Sequence, residues 1–126
     1  MKILLVEDDP FLSSLLKNRL QKEGLEILLA RDGEEAMNFL RTADPNLVLL
    51  DLILPKKSGF EVMEEIKLDP QIRNKNIPII VISNLGQEED IIKGKQLGAI
   101  EYFIKAKTSI DDLVTKIKEF LTQKTA

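Results

Sequence analysis

Five short apolar runs constrain this chain more than anything else in it: KILLVE (2–7), LEILLA (25–30), LVLLD (47–51), PIIVIS (78–83) and IEYFIK (100–105). Most of their aliphatic residues follow one another without polar alternation. A strand with one wet face would alternate, so these runs predict strands buried on both faces. None approaches the roughly 20 apolar residues needed to span a membrane as a helix. Helical patterns fill the intervals. Asp9 is a candidate cap with Pro10 at the first helical position and Gly24 as the stop, and Leu12, Leu15, Leu16 and Leu20 form its stripe. Asp32 caps a second helix with Ala36, Phe39, Leu40 and Ala43 on one face. A third starts near Ser58 and carries Val62, Met63 and Ile66. A fourth has Glu88, Glu89 and Asp90 in its first turn and Gly98 at its end, charges that suit a helix dipole and need no further role. Ser109 caps a fifth, with Leu113, Val114, Ile117, Phe120 and Leu121 facing inward. Five strands alternating with five helices predict an α/β fold: a doubly wound parallel sheet with both faces covered. DPQIRNKN (69–76) reads as a loose polar connection and TQKTA (122–126) as a frayed tail.

The length of 126 residues suits one domain with a real core. A net charge of -3 argues against a nucleic-acid-binding surface, which is normally basic. The amino terminus, MKILLVEDD, meets acids too early for a signal peptide, and nothing else reads as a membrane segment, so a cytoplasmic location is expected. Cysteine is absent, which excludes disulfides and thiolate metal sites. Histidine is absent too. There is no imidazole base, no catalytic triad and no histidine metal ligand, so any chemistry falls to carboxylates, lysines, hydroxyls, backbone groups and ions.

Ligands of an open parallel α/β sheet collect outside the carboxyl ends of its strands. The first strand ends at Glu7, Asp8 and Asp9, the third at Asp51, the fourth at Ser83 and Asn84, and the fifth at Lys105. The second, ending near Arg31 and Asp32, looks less engaged. Asp9 is explained by capping alone. The remaining carboxylates repel one another and call for a cation; a hard ion such as Mg²⁺ suits one or two carboxylates, a carbonyl and waters. A lysine and a hydroxyl beside such an ion make a place for a phosphoryl group, with Asp51 as a candidate nucleophile.

ILLVEDDP, LVLLDLILPKKSG, IPIIVIS and GAIEYFIK, in that order and spacing, resemble the signatures of bacterial response-regulator receiver domains of the CheY-like kind, over essentially the whole chain. The resemblance implies a single receiver domain over 1–126 with the flavodoxin-like strand order 2-1-3-4-5. It implies Asp51 as phosphoacceptor, Asp8 as a direct Mg²⁺ ligand alongside Asp51, Glu7 acting through a water and the backbone carbonyl of Ile53 completing the set. It further implies Ser83 as the switch hydroxyl, Lys105 as the phosphate-binding lysine and Tyr102 as the switch aromatic. The implied donor is a sensor histidine kinase or a histidine phosphotransfer protein. The implied output is a protein effector on the surface of the fourth predicted helix, the fifth strand and the fifth predicted helix. Such a chain is a phosphoprotein rather than an enzyme, apart from self-phosphorylation from small donors and slow self-dephosphorylation.

Several positions depart from the family pattern. Ala106 stands where proline, often after a cis bond, is common, and Asn84 where a very small residue is usual; a trans Lys105–Ala106 bond is therefore expected, since a cis bond before a non-proline residue costs about 2.5–4 kcal/mol. Ile53 and Leu85, each two residues beyond the acceptor or the hydroxyl, are apolar and predict slow loss of the phosphoryl group. Two other readings stand beside the receiver: an Mg²⁺-dependent phosphatase working through an aspartyl phosphate, and an interaction module that has lost phosphorylation. The first lacks the second acid that such phosphatases carry at the position of Ile53. The complete acidic set argues against the second.

Overall fold

The structure, a computed structural model, describes residues 1–125. The apolar runs form β1 (Lys2–Val6), β2 (Glu26–Ala30), β3 (Leu47–Leu50), β4 (Ile79–Ser83) and β5 (Ala99–Ile104). All pair in parallel, in the order β2-β1-β3-β4-β5. Consecutive strand residues face opposite sides, so each run feeds two cores. Leu4, Val6, Val48, Leu50, Ile79 and Val81 pack on one side with buried residues of α2 (Gly33–Thr42) and α3 (Gly59–Leu68). Ile3, Leu5, Leu47, Leu49, Ile80 and Ile82 pack on the other with α1 (Pro10–Lys22) and α6 (Ile110–Thr125). This two-sided burial is why the strands lack alternation.

Caps behave as the sequence suggests. Asp9 accepts from the Phe11 and Leu12 amides (2.9 and 3.3 Å), and Asp32 from Glu35 (2.9 Å). Ser58 and Glu61 form a reciprocal capping box, and Ser109 accepts from Asp112 (3.1 Å). α5 (Glu88–Gln96) has no side-chain cap and buries only Gly94, which leaves it the most lightly anchored of the long helices.

Three expectations need correction. In α1, Leu16 and Leu20 are buried and Leu12 is partly buried, but Leu15 is 39% exposed and Ser13 is buried in its stead, bonding back to Pro10 O. The connection 69–76 is ordered. Asp69 caps a one-turn helix, α4 (Pro70–Arg73), because Ile72 is drawn into the core; Lys75 then donates to the Leu40 and Ala43 carbonyls at the end of α2 (2.8 and 3.1 Å). This turn is a sixth α-helix, so the fourth and fifth predicted helices are α5 and α6. Finally, α6 runs through Thr125, since burial of Leu113, Val114, Ile117 and Leu121 holds it on the sheet. The fray expected over 122–126 is helix to that point, and Ala126 lies outside the described residues.

Candidate functional site

Parallel pairing brings the carboxyl ends of β1, β3, β4 and β5 to one edge. Asp51 continues the β3 ladder, donating its amide to Val6 O (3.0 Å), and Glu7 continues β1 by donating to Ala30 O (2.9 Å). Both side chains are therefore placed by rigid backbone. Glu7 is fully buried and Asp51 is 4% exposed, whereas Asp8 is exposed. Lys105 opens a 3₁₀ turn over Lys105–Lys107 after β5 and reaches back between the two buried acids: its Nζ lies 2.8 Å from Asp51 Oδ2 and 2.7 Å from Glu7 Oε1. The Lys105–Ala106 bond is trans, like every peptide bond among the described residues.

The electrostatics follow from burial. Desolvation raises the Glu7 carboxyl above its ordinary range, and the Lys105 ammonium and the Asp9 amide only partly offset it. Burial pulls Lys105 down, but its bonds to Asp51 and Glu7 outweigh that and leave it raised. Asp51 Oδ1 accepts from the Ile53 amide (3.3 Å) and Glu7 Oε2 from the Asp9 amide (3.1 Å). Glu7 Oε1 sits against Lys105 as an ion pair without hydrogen-bond alignment, and is the one buried side-chain oxygen or nitrogen among the described residues with no hydrogen-bond partner.

Glu7, Asp8 and Asp51 each offer a carboxylate oxygen, all within 4.8 Å of one another. Two buried acids and one exposed acid fit a hard divalent cation that keeps part of its water shell. The fit is chemical: oxygen donors only, and an open side at Asp8.

Ser83 ends β4 on the same edge and is fully buried, but its Oγ is engaged locally, accepting from the Leu85 amide (3.2 Å). Tyr102 lies on β5 and donates its hydroxyl to Leu85 O. Its ring packs against Gly94 of α5, where an added Cβ would lie 3.1 Å from the ring. Burial, with the charges of Asp90 and Asp51, pushes the phenol up to about 12. Ser83 and Tyr102 thus share Leu85 as a hydrogen-bonding partner. The two apolar neighbours differ: Ile53 is 57% exposed, while Leu85 packs against the core on the α2–α3 side.

Gly59, which closes the LVLLDLILPKKSG stretch, has a role that no sequence pattern signals. A Cβ there would fall 2.3 Å from Asp51 O and 2.7 Å from Leu52 Cα, so α3 can start against the end of β3 only with glycine. Lys56 and Lys57 also take part in the loop's contacts. Lys56 holds a left-handed φ of 66° and lies 3.7 Å from Asp32, and Lys57 pairs with Glu65. The run of lysines before Ser58 was the available signal.

A family model described as the response regulator receiver domain matches residues 3–118. The transcriptional regulatory protein CpxR of Klebsiella pneumoniae is 39% identical over 120 residues, covering 95% of this chain and 49% of its own. A probable transcriptional regulator, ycf27, of Cyanophora paradoxa is 38% identical over 95% of this chain and 48% of its own. The chain thus spans about half the length of the curated relatives it matches. The solved Mn²⁺-bound form of response regulator Rcp1 superposes with a TM-score of 0.82 at 37% identity, covering 95% of this chain and 93% of that one. No helix among the described residues is long and apolar enough to cross a membrane. By sequence match and by fold, the chain belongs to the response regulator receiver domain family of two-component signalling.

Proposed function

We propose that this receiver accepts a phosphoryl group on Asp51 from the phosphohistidine of a sensor kinase or phosphotransfer protein. The observation that carries the proposal is Lys105 Nζ held between Asp51 and Glu7 (2.8 and 2.7 Å), with Asp8 at the open side of the same cluster. An Asp51 oxygen attacks phosphorus; the new P–O bond forms as the P–N bond breaks, and its electron pair returns to the donor imidazole. Asp8 and Asp51 would hold Mg²⁺ directly, Glu7 through a water, with the Ile53 carbonyl completing the protein's share. That ion would supply positive charge for the phosphoryl oxygens. Lys105 already carries a cation to the acceptor and needs only to follow the charge from carboxylate to phosphoryl oxygen. Ser83 donates its hydroxyl to the phosphoryl group, giving up its contact with the Leu85 amide. That change reaches Tyr102 through Leu85 and biases the α5–β5–α6 face toward an effector protein. The chain works in the cytoplasm as an acceptor, with self-phosphorylation from small donors and slow self-dephosphorylation its only turnover.

The test is intact-mass spectrometry after acetyl phosphate treatment, with and without Mg²⁺. One phosphoryl adduct is expected, dependent on Mg²⁺, lost in Asp51→Asn and in Asp8→Ala. An adduct that persists in Asp51→Asn, or a wild-type rate in Asp8→Ala, would overturn the assignment.

A further inference from the structure

We propose that Gly33, in the first turn of α2, is a positioning residue for the loop between β3 and α3, and through it for the metal ligands of the acceptor site. The inference rests on the Mg²⁺ reading above. The loop is closed from within: the Gly59 amide donates to Leu52 O (2.9 Å) and the Lys57 amide to Pro55 O (2.7 Å). Its outer flank rests on α2. A Cβ at position 33 would lie 2.2 Å from Lys57 O, 2.5 Å from Lys57 Cβ and 2.8 Å from Lys57 C. Gly33 is not among the glycines with positive φ, which are Gly24 and Gly98. What position 33 requires is closeness of approach, not an unusual backbone conformation.

The residues beside Gly33 grip the same loop. Lys56 Nζ lies 3.7 Å from Asp32 and 4.0 Å from Glu34, and Lys56 itself holds a φ of 66°, a conformation uncommon for a side chain of this kind. The close backbone approach at Lys57 therefore braces residues 56–57 against the start of α2, with the two long ion pairs of the exposed Lys56 adding little. The brace is unequal. α2 is anchored by buried Ala36, Met37 and Leu40, whereas Ile53, Pro55 and Lys56 are exposed, so an added methyl at position 33 displaces the loop rather than the helix. Ordinary contact begins at 3.4 Å, so Lys57 must retreat by about 1 Å, and changes to the groups that orient metal ligands typically cost roughly 10–100-fold in metal affinity. Three residues lie between Ile53 and Lys57, and Pro55 among them stiffens the path. We expect Gly33→Ala to weaken Mg²⁺ binding by about tenfold.

The experiment is an Mg²⁺ titration followed by amide resonances in the wild type, Gly33→Ala and Ile72→Val. The last trims the buried core on the turn before β4 and serves as a destabilised control. In the wild type the amides of Gly33 and Lys57 should respond together with that of Ile53, a result that needs no variant to fold. Gly33→Ala should need about tenfold more Mg²⁺ while Ile72→Val binds as the wild type does. Wild-type affinity in Gly33→Ala, equal weakening in Ile72→Val, or a response at Ile53 that leaves Lys57 and Gly33 unmoved would overturn the brace. No response at any amide near Asp51 in the wild type would overturn the Mg²⁺ reading itself, and the brace with it.

Discussion

Replacing Lys105 by methionine removes the cation while keeping most of the side chain's apolar volume. In the wild type its ammonium faces two acids whose side chains are 0% and 5% exposed, and is itself 19% exposed. At separations of 2.7 and 2.8 Å each pair has a gross attraction on the order of 6 kcal/mol at an effective dielectric constant near 20. Desolvation of the three groups takes most of that back. What remains decisive is the state left behind: two buried carboxylates without a counter-charge. Removing one partner of a buried pair costs about 3–5 kcal/mol, and for a domain of this size that lowers Tm by roughly 10–20 °C. The loss should depend on conditions. Glu7 is already raised by burial, and without the Lys105 ammonium only the Asp9 amide still offsets that, so stability of the variant falls as pH rises through the raised Glu7 value and recovers on acidification. Mg²⁺ should restore it too, and bind more tightly than to the wild type, because the competing ammonium is gone. In the wild type the Lys105 pKa is itself raised, so its contribution is fully present below its ordinary value of 10.5 and is lost only as pH rises through the folded value. The assay is thermal unfolding of both proteins at pH 6 and pH 8, with EDTA or with Mg²⁺. A Tm drop of only a few degrees at pH 8 in EDTA, or a large drop indifferent to both pH and Mg²⁺, would refute the idea that Lys105 neutralises this pair.

Ile53→Asn should speed loss of phospho-Asp51 severalfold with Mg²⁺ present, because the exposed isoleucine is placed to keep an attacking water from being oriented. Leu85→Glu should act mainly by weakening the fold, since Leu85 covers core surface; unchanged decay in Ile53→Asn would remove the shielding account. Ser83→Ala should leave Asp51 phosphorylatable yet blunt the resonance shifts around Tyr102 on phosphorylation, and equal responses in variant and wild type would break the proposed link through Leu85. Tyr102 is the chain's single tyrosine, so phenolate absorbance reports it alone. It should titrate near 12, and a midpoint at the ordinary 10.0 would show that the ring is not held as described.

The strands were legible because a parallel sheet buried on both faces allows little polar interruption, and β1, β3 and most of β4 have none. The caps were legible because Asp9, Asp32, Ser58 and Ser109 act over two or three residues of chain. Glu7, Asp8, Asp51 and Lys105 could be assigned to one edge by topology alone, since every parallel strand ends there. What stayed hidden depends on distances between segments remote in sequence. Periodicity counted Leu15 in the core because it spaces correctly on α1; the sheet turns that position outward and accepts Ser13. A polar-looking stretch at 69–76 hid Ile72, whose burial orders the turn. Ile53 and Leu85 are equivalent in spacing, yet neighbouring packing leaves one in solvent and draws the other into the core. The need for glycine at positions 33 and 59 is invisible along the chain. Neither has an unusual φ, and only when Lys57 and Asp51 arrive from another part of the fold is there no room for a Cβ. Sequence by itself determined the elements and which chemical groups share an edge, because those follow from local patterning and strand direction. Tertiary structure alone decided which of those groups touch and which backbone segments press together, because contact depends on where whole elements pack.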